Sequence, residues 1–112
     1  AAVKAFLQAF AKGAKEVMAN PKAAIEHVKA RDGIINTELE TRRLQLAIDT
    51  VINSADARTE GFGQVRGPRL SLMASQVSDA FNTKSRVNPD AVWNGSFLPT
   101  VAELNVLPPV KK

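Results

Sequence analysis

The stretch Ala1 to Asn20, AAVKAFLQAFAKGAKEVMAN, constrains the fold more than any other. Val3, Phe6, Leu7, Phe10, Val17 and Met18, with Ala11 and Ala14 between them, recur at steps of three and four. That spacing traces a single stripe along an α-helix. Lys4, Gln8, Lys12, Lys15 and Glu16 take the wet side, and the many alanines favour helix. A helix this one-sided has to press its stripe onto another surface.

The residues that follow punctuate the chain in the same helical idiom. Pro21 disfavours helix in the residue before it, so the first helix ends near residue 19 and Asn20 caps a second one, about 21–30, with Pro at its first position. Ala24, Ile25 and Val28 form its inner face, and Arg31-Asp32-Gly33 breaks it, Gly33 supplying a left-handed turn. Thr37 to Glu40 reads as a capping box opening a third helix, about 37–53, with Leu39, Leu44, Ala47, Ile48, Val51 and Ile52 inward. Ser54 caps one further short turn. Gly61-Phe62-Gly63 then places one aromatic between two conformationally free residues.

A fourth helix, about 68–81, is expected to bury Leu70, Met73, Ala74, Val77 and Phe81. Pro89 to Asn94 predicts a single helical turn. Pro99, Pro108 and Pro109 bar any long element from the tail, 95–112, which must lie on another surface. No stretch alternates with period two, so no sheet is expected. The expected class is all-α: four amphipathic helices, short turns and an extended tail, in one segment spanning 1–112.

Composition excludes several functions. With 45% hydrophobic and 23% charged residues in 112 the chain is a globular domain and not a disordered one. It has no Cys, which removes disulfides, thiolate metal sites and cysteine nucleophiles. No apolar run approaches the roughly 20 residues that cross a bilayer. The net charge is +4, but acids and bases interleave and only Arg42-Arg43 and the terminal lysines are adjacent, so no nucleic-acid partner is expected. The chain has no initiator Met and no leader segment, and is expected to be a piece of a longer protein.

Several of these features occur together in an order that resembles the C-terminal portion of the periplasmic substrate-binding proteins of ABC importers. The group concerned serves nitrate, sulfonate, taurine and thiamin-pyrimidine precursor uptake. The stretches that carry the likeness are Ala5 to Gly13, Asn20-Pro21 with Ala24, Ala47-Ile48-Asp49, Gly61-Phe62-Gly63, Arg69-Leu70, and Ser96-Phe97-Leu98-Pro99. The resemblance implies a helical layer belonging to a two-lobe α/β receptor of the periplasmic-binding-protein type II fold. It further implies a small-molecule ligand, an ABC permease as partner of the whole protein, and an extracytoplasmic location. The lobe sheets would lie outside this chain. The alternative is a self-standing helical protein–protein interaction module.

The candidate functional residues are few. No catalytic set, metal site or cofactor is expected. His27 is the only histidine and has no second ligand spaced to join it. Glu38, Glu40, Asp49 and Asp56 are not gathered into a pair by any motif, and Ser71, Ser75 and Ser78 have no base in reach. Phe62 either plugs the core or stands at the mouth of a ligand cleft, and Trp93 allows the same two roles. Met18 and Met73 are expected in the core. Helical stripes meant for an absent sheet would drive self-association. A homodimer or higher oligomer is therefore expected, with Phe6, Phe10, Phe97 and Leu98 at or near the contact.

Overall fold

The computed structural model describes residues 1–110. Among them there is no strand, and the protein is all-α. Six α-helices follow in order: α1 (Ala2–Ala19), α2 (Pro21–Arg31), α3 (Thr37–Ala47), α4 (Ala55–Glu60), α5 (Gly67–Ala80) and α6 (Val101–Leu104). A π-helical turn, Ile48–Ile52, prolongs α3, and single 3-10 turns form at Pro89–Ala91 and Gly95–Phe97.

Local chemistry sets most of the joints. The Asn20 side chain accepts the Ala23 N–H at 3.1 Å, and Ser54 Oγ accepts that of Ala57 at 3.1 Å, so both expected caps form. The cap of α3 lies one residue earlier than the sequence pattern suggests. Asn36 Oδ1 accepts the Leu39 N–H at 3.0 Å, Thr37 is already helical, and Glu40 turns outward to pair with Arg43. Gly33 is not left-handed: the chain leaves α2 through an extended Asp32. Lys29 Nζ holds the turn by donating to the Gly33 and Ile35 carbonyls at 2.7 and 2.8 Å.

The core gathers Ala11 and Met18 of α1, Ile48 of the π turn, and Leu104, Val106 and Leu107. Ala14, Leu44, Ile52, Ala57, Phe62 and Leu98 pack around it, partly buried. Three of the six central residues thus come from the tail, which is the centre of the molecule rather than a strap laid over it. The capping box also sits there. Thr100 Oγ1 accepts the Glu103 N–H at 3.3 Å, and the Glu103 carboxylate accepts the Thr100 N–H at 2.9 Å. The other oxygen of Glu103 accepts from Gln8 Nε2 at 2.7 Å, tying α6 to α1.

The expected stripes are wider than the surfaces they meet. On α1, Leu7, Ala11, Ala14 and Met18 turn inward, while Val3, Phe6 and Phe10 remain exposed. On α5, Leu70 and Ala74 are half-buried, but Met73, Val77 and Phe81 form an open row, so Met73 is not a core residue. Val28, Leu39 and Val51 also face solvent. Inward-facing Ser78 takes their place on α5, 6% exposed and with no partner for its hydroxyl.

These open faces show in the dimensions. The accessible surface is 8529 Å², against about 6,000 Å² for a compact monomer of 12.1 kDa. The Cα radius of gyration is 17.0 Å, against about 13 Å for a compact domain of this length.

Candidate functional site

A groove of about 330 Å³ opens where the end of α3, α4, the Gly61–Gly63 turn and the start of α5 converge. Its apolar lining is Val51, Ile52, Phe62 and Met73, and its polar lining is Ser54, Asp56, Gln64 and Arg69. The sequence accounts for each part. Asn53 N–H reaches back five residues to the Ile48 carbonyl at 2.8 Å, so the last turn of α3 widens into a π turn. Such turns commonly mark sites where a helix is reshaped to carry a function. Asn53 ends this helix and Ser54 starts the next, which bends the chain around the groove.

The Gly61–Gly63 turn places the aromatic. Gly61 (φ +93°) and Gly63 (φ +91°) both hold positive φ, and a Cβ at Gly61 would lie 2.6 Å from Leu104 Cβ. Only glycine permits that approach. The Phe62 N–H then donates to the Leu104 carbonyl at 2.8 Å, which fixes the residue between core and groove. Phe62 is half-buried, packing against the core and lining the groove.

The charges around the groove are already paired. Asp56 accepts from Arg69 Nη1 at 2.8 Å and from Arg66 Nη2 at 3.1 Å, while Arg66 Nε lies 3.5 Å from Glu60. Two guanidiniums facing two carboxylates leave little net field for an anion at this rim. Ser54 spends its oxygen on a helix cap, and no imidazole or free carboxylate stands beside it. The arrangement can hold a small, partly apolar molecule and offers no nucleophile–base pair.

The remaining candidates lie apart. His27 is exposed on α2. Glu38 pairs with Arg42 and Asp49 accepts from Gln45 at 3.0 Å, so Glu38, Glu40, Asp49 and Asp56 make four separate local contacts. Ser75 Oγ accepts from Arg86 at 2.7 Å. Among the described residues no group of three or more His, Cys, Asp or Glu could hold a metal ion. Also among them, no helix is long and apolar enough to cross a membrane. Trp93 is exposed beside the Gly95 turn. Phe6 and Phe10 lie together on the open side of α1; Phe97 is 45% exposed on the turn packed against α1, and Leu98 is half-buried against the core.

Sequence reasoning missed the groove as such. Its signal was present in two places: the adjacent stop and start signals at Asn53-Ser54, and the two glycines flanking Phe62. Compared with known proteins, the chain matches no family, no curated protein and no solved structure.

Proposed function

We propose that this chain is the C-terminal helical portion of an extracytoplasmic solute receptor that captures a small molecule and presents it to an ABC permease, without catalysing a reaction. The observation that carries the reading is the surplus of open surface, 8529 Å² where about 6,000 Å² would suffice. Apolar rows on α1, α3 and α5 are uncovered, as expected of a helical layer cut from a larger fold. Four of the six stretches that resemble the receptor family also converge, since Ala11, Ile48, Phe62 and Leu98 meet around one core. By that resemblance the ligand is nitrate, a sulfonate such as taurine, or a thiamin pyrimidine precursor. The paired charges at the groove rim favour the pyrimidine-like class over the anions, with Phe62 as the aromatic beside it.

The test is a thermal-shift screen of a longer protein carrying this chain as its C-terminal part. Ligand at about 100-fold above its Kd adds about 2.7 kcal/mol to stability, a readily measured shift. A rise with one of the three ligand types supports the receptor. Unchanged melting with all of them removes it. A helical interaction module is the second reading, favoured by the open Met73–Val77–Phe81 row of α5. It requires no ligand response.

A further inference from the structure

One exposed strip of α1 is apolar and uncharged, beside the charged strip of Lys4, Lys12, Lys15 and Glu16. At about 100° per residue, Ala2, Val3, Phe6, Ala9, Phe10 and Gly13 share one side of the helix, with no charged residue among them. Phe6 is 67% and Phe10 58% exposed, and both project beside residues with little or no side chain. Nothing lies within 4 Å of where a Cβ at Gly13 would be, so the space above it is empty.

We propose that two copies of this chain pair through α1, antiparallel, with Phe6 of each over Gly13 of the other and the two Phe10 rings against each other across the two-fold axis. A single two-fold axis beside residues 9 and 10 gives both contacts, because Phe6 and Gly13 lie equally far to either side of it and at nearly the same angle around the helix. Large side chains then fill the gaps left by small ones on the facing helix, as ridges enter grooves. The two rings still offer about 200–300 Å² per copy. Val3, the small residues and the nearby Phe97 extend the patch toward the roughly 800 Å² per partner of a stable interface. The surplus surface of the chain is large enough to supply it. The pairing does not rest on the receptor reading. A longer protein that covers α1 with its own layer would not pair this way, so the two proposals fail separately.

Sedimentation of the full chain across micromolar concentrations tests it. A monomer–dimer equilibrium is expected, and Phe10→Glu is expected to weaken it by more than about tenfold with helix content unchanged. Gly13→Leu is the sharper variant. It favours the helix and its Cβ meets no neighbour within the chain, yet it fills the pocket for Phe6, so it too must weaken the dimer. The chain contains no Cys, which allows single-cysteine variants to report the register. Ala9→Cys should oxidise to a cross-linked dimer, and Ala2→Cys should not. A monomer at every concentration overturns the proposal. So does a dimer indifferent to Gly13→Leu, one abolished instead by Met73→Glu on α5, or a cross-link at position 2.

Discussion

A methyl group at position 61 would stand 2.6 Å from Leu104 Cβ, closer than non-bonded carbons approach, on a backbone with φ +93° and ψ 157° that is nearly reserved for glycine. Gly61→Ala therefore carries both conformational strain and overpacking, and is expected to cost about 2–4 kcal/mol in urea unfolding. Gly63→Ala shares the positive φ but meets open space, and should cost only about 1 kcal/mol. Gly13 has ordinary helical backbone and no neighbour, so Gly13→Ala should stabilise by about 0.5–1 kcal/mol. The three substitutions make identical changes in the sequence and differ in backbone conformation and in what surrounds them. Glu103 adds a pH-dependent contact. The Thr100 N–H first, then the Thr100 hydroxyl and the Gln8 amide, hold its carboxyl below the usual range. A depressed folded pKa contributes stability that is present above the unfolded value, about 4.3, and is lost as pH falls through the folded one. Acid unfolding should show this loss below that pH, and Glu103→Gln should remove the step.

At the scale of elements, joints were legible where a signal is local. Asn20-Pro21 and Ser54 act within three residues of themselves, and the structure forms both caps as read. The Thr37 box slipped by one because Asn36 is an equally good cap standing one place nearer the start. The tail was misread for a different reason. Its prolines rule out long elements but say nothing about burial, and the hydrogen bond that draws it inward joins Phe62 to Leu104 across the sequence. A usable signal was there in Thr100-x-x-Glu103, the same pattern sought at Thr37. Thr100→Ala should cost about 1 kcal/mol, measured by chemical unfolding, and loosen α6 from α1. The groove was legible only as its separate ingredients, since no local pattern says that the π turn and Phe62 face the same space.

Across the whole molecule, periodicity told which faces are apolar but not which of them find a partner. Val3, Phe6 and Phe10 carry the same signal as Leu7 and Ala11, and the structure covers only the second set. Stability thus concentrates in a small cluster around Leu104, Val106 and Leu107. Leu104→Ala, expected to cost about 2–5 kcal/mol, should therefore leave the chain without a cooperative melting transition while the longer helices keep part of their circular-dichroism signal.

Because Leu98 to Leu107 complete the hydrophobic centre, the ribosome delivers the keystone after the arch. Within this segment, α1 to α5 emerge before the residues that complete their shared core. Gly61 has no Leu104 to receive until then, and Ala11, Met18 and Ile48 lack the residues that cover them.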